Sequence, residues 1–237
     1  MSPQELARIR RALPGRPIDY HESIDSTMHA AAGLELGAVV VAGQQTAGQG
    51  RHGHSWHSEA GSGLYFSIVL EPNPVLTLAL GLAAVEAIAQ VTGIACDLRW
   101  PNDLMLDGRK VAGILVQLAD GKAIAGIGIN LNHISFPPDL EATSLRIHSG
   151  QEVCAGDLLI ALLRSIDSFA AEDKETILRL FTHASSYTAG RRVTVALPDG
   201  TMEGTTAGLD SDGYLIVRKD DGTDTLILAG GVRAARS

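Results

Sequence analysis

Leu6, Ile9 and Leu13 recur at helical spacing behind Ser2-Pro3-Gln4-Glu5. That start predicts a helix with Ser2 as N-cap, Pro3 at the first helical position and Glu5 closing a capping box. Pro14-Gly15 ends it. Residues 18–23 suit a strand, and Ser26-Thr27 stands where a helix over 28–32 would be capped. Residues 38–42 are a pure β-former run. Leu64, Phe66, Ile68 and Leu70 then alternate with Tyr65, Ser67, Val69 and Glu71, a strand with one deeply buried face and one mixed face. Residues 77–91 are apolar nearly all round, as in a helix buried on several sides. Two Asp-Gly turns, at 107–108 and 120–121, join three strand-like runs over 104–106, 111–118 and 123–131. From 156 to about 184 the period turns helical again.

Beyond Tyr187 four short strand-like runs, at 193–197, 201–209, 214–218 and 223–228, alternate with Asp-containing turns. This predicts a small β-barrel over 188–237 behind a larger domain over 1–187. Antiparallel strands with helices inserted between them make the fold class α+β.

Composition narrows the function. The chain has 237 residues, of which 45% are hydrophobic, enough for a substantial core. Its 19 Lys+Arg against 27 Asp+Glu leave a net charge of −8, which argues against general binding to nucleic acid or acidic membranes. Two cysteines, Cys96 and Cys154, have no metal-ligand spacing and fit a reducing cytoplasm. The polar start lacks a signal peptide's apolar core. The most apolar window, residues 78–91, is shorter than the roughly 20 residues of a membrane span.

Four polar clusters stand out. Residues 43–56 hold Gln45, Gly48, Gln49, Gly50, Arg51 and Trp56, with too few apolar side chains to pack as an element. They read either as an anion-binding loop or as a mobile connector. Arg99-Trp100-Pro101-Asn102-Asp103 puts a cation, an amide and a carboxylate at a proline-forced turn, a place where Asn and Asp also collect for backbone reasons. Lys110 stands at the mouth of a strand, where a solvated edge lysine is the ordinary reading. Gly126-Ile127-Gly128-Ile129-Asn130 alternates glycine with isoleucine, a mark of close approach by a ligand or another backbone.

In this order the clusters resemble the catalytic domain of biotin protein ligases (biotin–acetyl-CoA-carboxylase ligases). The family's Gly-Arg-Gly-Arg-x-Gly-Arg-x-Trp loop is matched by residues 48–56, and its Lys-Trp-Pro-Asn-Asp block by residues 99–103. Its Lys-x-x-Gly-Ile-Leu is matched by 110–115, its Gly-x-Gly-x-Asn by 126–130, and its Ser-Thr pair by Ser26-Thr27. The resemblance implies a mixed sheet related to class II aminoacyl-tRNA synthetases with a C-terminal SH3-like barrel. It implies biotin, ATP and Mg²⁺ as ligands, and a lysine of a biotin carboxyl carrier domain as acceptor. Lys110 and Arg51 would carry catalysis. Ser26, Thr27, Met28, Gln45, Gln49, Gly50, Gly113 and Gly126 would surround biotin together with them. Trp56, Asn102, Asp103 and Asn130 would surround the nucleotide, with Mg²⁺ near the last three.

Gln49 and His54 stand where the family motif has arginine, and Arg99 where it has lysine. Each missing charge-assisted hydrogen bond is worth about 1.5–3 kcal/mol, so the loop is expected to hold biotinyl-AMP less tightly. Two alternatives stay open, a lipoate or octanoate ligase or transferase of the same fold and a degenerate biotin-binding homologue without catalysis; a biotin-binding regulator is a third reading that the sequence disfavours. The few residues ahead of position 18 are too short for the DNA-binding domain that regulators of the family carry. Monomer and homodimer are both compatible with the sequence.

Overall fold

A computed structural model describes residues 1–197, 200–228 and 230–235, apart from the His52 side chain. The chain runs α1 (Pro3–Ala12), β1 (Ile18–His21), α2 (Thr27–Ala31), β2 (Val39–Ala42), β3 (Gly63–Leu70) and α3 (Leu76–Thr92). It continues through β4 (Asp97–Arg99), β5 (Asp103–Leu106), β6 (Arg109–Ala119), β7 (Lys122–Asn130), α4 (Leu145–Ser149), α5 (Ala155–Ala170) and α6 (Lys174–Ala184). The last five elements are β8 (Ala189–Leu197), β9 (Gly200–Leu209), β10 (Leu215–Arg218), β11 (Asp224–Ile227) and β12 (Gly231–Ala234).

Seven strands form one sheet in the order β1-β2-β3-β7-β6-β5-β4. Only β1 and β2 pair in parallel; the other neighbours are antiparallel. The Asp107-Gly108 and Asp120-Gly121 turns carry positive φ at both residues, the conformation that joins two strands tightly. One sheet face, with Val39, Val41, Leu64, Phe66, Ile68, Ile114, Ile127 and Ile129, packs against α3 and α5 in the main core. Nearly all of α3 is buried, as its all-round apolar sequence requires.

The opposite face of β3, mixed in residue type as expected, is buried along the strand as well, with Tyr65, Ser67 and Val69 all covered. Its polar Ser67 is covered because α2 and residues 43–56 lie over that face. Ser2 caps α1 through Glu5 N at 3.1 Å, but Glu5 does not close the box. Its carboxylate accepts instead from Gly156 N at 2.9 Å, at the start of α5, where a helix N-terminus favours an anion.

The C-terminal sheet has five antiparallel strands, order β11-β10-β9-β8-β12, one more than the four expected. The extra strand, β12, pairs with β8. Pro198 and Asp199, in the expected β8–β9 turn, lie outside the described residues. Buried Trp100 donates from Nε1 to Gly213 O at 2.9 Å, which seats the second sheet beside the first.

Candidate active site

The side chains of a strand alternate between faces, so Gly126 and Gly128 share one face of β7. Register sets Gly128 opposite Gly113 of β6 and Gly126 opposite Ser67 of β3. The result is a depression floored by backbone, on the face away from α3. Two side chains lie in it. A Cβ at Gly128 would come within 2.4 Å of the Trp56 ring, and one at Gly126 within 2.7 Å of Met28 Sδ.

One end of the depression is lined with neutral polar groups. Thr27 donates to Gln45 Oε1 from its backbone N at 2.9 Å and from its hydroxyl at 3.1 Å. The same hydroxyl lies 2.8 Å from Ser67 Oγ, and Gln45 Nε2 donates to Ser58 Oγ at 3.0 Å. Ser26 occupies the N-cap of α2, yet its side chain makes no cap bond. It is fully buried, and Oγ has no hydrogen-bond partner.

The other end is charged. Lys110 Nζ lies 2.5 Å from Asp103 Oδ1, without hydrogen-bond alignment, and Arg99 donates to Oδ2 at 2.7 and 3.2 Å. Burial would raise the Asp103 carboxyl, but Lys110 and Arg99 outweigh it and hold the group below its ordinary value. Arg51 donates to Asn102 Oδ1 at 3.0 Å and to Gly230 O of the C-terminal sheet at 3.3 Å. Burial lowers the Arg51 pKa, while Asp103 works in favour of its charge.

Residues 43–56 are neither slack nor free of structure. Backbone bonds from Trp56 N to Gly48 O (2.8 Å) and Gly50 N to His54 O (2.7 Å) fold the segment into a small hairpin. Its tip is a 3-10 turn over Arg51–Gly53. Gly48 is tightly enclosed: a Cβ there would meet Trp56 O at 2.7 Å. Gln49 Nε2 lies 2.6 Å from His29 Nε2 of α2. The hairpin lays the Trp56 indole on Gly113 and Gly128, with Lys110 Nζ 5.3 Å from the ring centroid. Trp56 Nε1 is buried without a partner. This leaves about 40 Å³ open, room for a few water molecules.

The profile of the biotin/lipoate A/B protein ligase family matches residues 20–133, and that of the biotin protein ligase C-terminal domain matches 188–232. The biotin–[acetyl-CoA-carboxylase] ligase of Mycobacterium tuberculosis is 31% identical, over 87% of this chain and 82% of its own. The bifunctional ligase/repressor BirA of Bacillus subtilis is 30% identical, over 90% of this chain and 73% of its own. The structure of the Aquifex aeolicus biotin protein ligase in complex with biotin and ATP superposes with a TM-score of 0.83 at 31% identity, over 93% of this chain and 99% of that one. The chain belongs to the biotin protein ligase family.

Within this family member, the depression gathers Ser26, Thr27, Met28, Gln45, Gln49, Gly50, Arg51, Trp56, Asn102, Lys110, Gly113 and Gly126 along one wall or another. Asp103 stands behind Lys110 and does not line the depression. Asn130 does not line it either: it is buried and donates to Thr143 O at 3.0 Å. The sequence assigned neither Ser58 nor Ser67 to the site, and marked Gly128 only as part of the glycine-isoleucine alternation. Gly128 shares the Gly-Ile-Gly alternation with Gly126, and Ser67 is the one small polar residue inside an apolar strand. Both signals were present. Ser58 had none, since its role comes from the hairpin's path.

Proposed function

We propose that this chain activates biotin with ATP to biotinyl-AMP and passes the biotinyl group to a lysine of a biotin carboxyl carrier domain. The observation that carries the reading is the order of groups along one slot. Ser26, Thr27 and Gln45 stand at one end, the glycine floor lies between, and Lys110 and Arg51 stand at the other. A ureido ring needs directional donors and acceptors, and the unpartnered Ser26 hydroxyl offers one. A carboxylate and an α-phosphate need cations.

In the first step a biotin carboxylate oxygen bonds to the α-phosphorus of ATP as the bond to pyrophosphate breaks. In the second, the acceptor amine attacks the acyl carbonyl, AMP leaves, and the amine proton passes to solvent. Lys110 is held by Asp103 in the resting site, and the incoming anions take over as its partners. The Trp56 indole must shift off Gly113 and Gly128 to admit the ligands, since the open volume is only about 40 Å³. It then forms a wall beside the adenine.

Mg²⁺ would arrive on the ATP phosphates, as this ion usually does. The residues around Asp103 do not form a site for it, because its carboxylate already faces two cations and the Asn102 and Asn130 side chains bond to protein. A cysteine nucleophile, which an octanoyl transferase needs, is also disfavoured: burial pushes the Cys96 thiol up to about 12 and raises that of Cys154.

We take residues 1–187 as the catalytic unit and 188–237 as the C-terminal one, acting in the cytoplasm as a monomer or homodimer. No described helix is long and apolar enough to cross a membrane. ATP–pyrophosphate exchange, with biotin, lipoate and octanoate offered in parallel, tests the reading. Exchange with biotin alone supports it; exchange with lipoate or octanoate alone, or with none of the three, overturns it.

A further inference from the structure

Beyond the biotin slot, on the exit side of the hairpin, His57, Glu59 and His133 meet. We propose that these three side chains form a binding site for a divalent transition-metal ion, with Zn²⁺ the best match. One ligand atom from each lies within 4.8 Å of the others, and among the described residues no other group of three His, Cys, Asp or Glu is so arranged. Two imidazoles and a carboxylate are a donor set that Zn²⁺ takes with one position left for water.

The three side chains do not satisfy one another. His133 Nε2 is 3.9 Å from Glu59 Oε2, too far for a hydrogen bond. The His57 and His133 ring centroids are 5.9 Å apart and tilted. His133 is only 1% exposed, yet its Nδ1 has no partner, and its Nε2 has only a 3.5 Å contact with the Tyr65 hydroxyl. Nε2, the nitrogen that faces Glu59, is the one coordination would satisfy, recovering the cost of a buried polar atom with no short partner.

The buried member is held firmly and the exposed ones can move. Phe136 stacks on the His133 ring at 4.9 Å, and Ser144 Oγ donates to His133 O at 2.7 Å. Tyr65 donates to Glu59 O at 3.1 Å, fixing the backbone beside the site. Around a tetrahedral ion with bonds of about 2.0–2.2 Å, ligand atoms sit roughly 3.3–3.6 Å apart. His57 and Glu59 are exposed, so side-chain rotation can close the remaining gap of about an ångström.

The location gives the site a consequence. His57 follows Trp56 directly, and Ser58 between the two ligands bonds Gln45 of the slot. An ion held here fastens the exit of the hairpin to the end of β7, 74 residues further along from Glu59 to His133.

The test is calorimetric titration of ZnCl₂ into the full chain, stripped of metal and free of any polyhistidine tag, beside Co²⁺ absorption spectroscopy. Wild type is expected to bind one ion per chain and to show visible d–d bands with Co²⁺. His57→Ala and Glu59→Gln, both exposed and so safe for folding, are each expected to weaken binding by roughly tenfold or more, and the double variant to abolish this site. No saturable binding by wild type overturns the proposal. So does equal affinity and stoichiometry in wild type and the double variant, which would put the metal on other surface groups such as His21 with Asp19.

Discussion

Replacing Ser26 by alanine separates two roles that a serine at the head of a helix can have. If the hydroxyl capped α2, its loss would cost about 1 kcal/mol, and melting would fall by about 2–4 °C for a chain of this size. The hydroxyl makes no cap bond, however, and it is buried without any partner. A buried unsatisfied hydroxyl costs about 1–3 kcal/mol, so Ser26→Ala is expected to leave the ligand-free protein unchanged or slightly more stable. Biotin binding should move the other way. Alanine strands a buried polar atom of the ligand, a loss of about 1–3 kcal/mol, or roughly 5- to 150-fold in Kd. Thr27→Val supplies the contrast, because the Thr27 hydroxyl already serves Gln45 and Ser67. That variant should lose both stability and biotin affinity. Thermal melting without ligand and calorimetric titration with biotin measure the two effects. A Ser26→Ala protein that melts several degrees lower and binds biotin as wild type does would refute the assignment.

Gly128→Ala should drive the Trp56 ring from its seat, since the new Cβ would lie 2.4 Å from it. Overpacking of this kind costs about 1–3 kcal/mol, and tryptophan emission with melting temperature reports it. Lys110→Gln should lower biotin-dependent pyrophosphate exchange by about 10²–10³ while the protein still folds, and exchange within tenfold of wild type would deny Lys110 its catalytic part. Gln49→Arg restores one family charge and should slow biotinyl-AMP release roughly tenfold, followed by filter binding; an unchanged rate removes the idea of a weakened clamp. Because Asp103 titrates below its ordinary value in the fold, its contribution is present above about pH 4 and is lost as pH falls through the folded pKa. Urea melts from pH 3 to 7 should therefore show the deficit of Asp103→Asn largest at neutral pH and shrinking in acid. A constant deficit across that range would rule out the ion-pair account.

Much of the scaffold is legible in the sequence. The Asp-Gly turns at 107–108 and 120–121 take positive φ at both positions, a conformation that this residue pair favours between two strand-like runs. The apolar stretch of α3 could only be a buried helix. What escaped notice was short or polar. α4 is five residues long, and β12, with the sequence Gly-Val-Arg-Ala, has one apolar side chain to bury. Residues 43–56 could be read from their letters either as an anion-binding loop or as a connector, because their hairpin rests on backbone bonds and on Trp56, and side-chain pattern reveals neither.

Neighbouring residues are enough to set turn geometry, helical and alternating faces, and the make-up of the four polar clusters. Backbone sterics and solvent exclusion act over a few residues, so a short window carries that information. Which surfaces face one another follows from packing across the whole fold. Register between β6 and β7 set Gly113 against Gly128 and made a floor of two glycines distant in sequence. Cover from α2 and the hairpin turned Ser26 from a cap into a buried hydroxyl awaiting a partner, and folding carried His133 to His57 and Glu59. These depend on a one-residue choice of pairing and on which surfaces exclude water, and strand register is settled by the packing of the whole sheet rather than by any stretch of its letters.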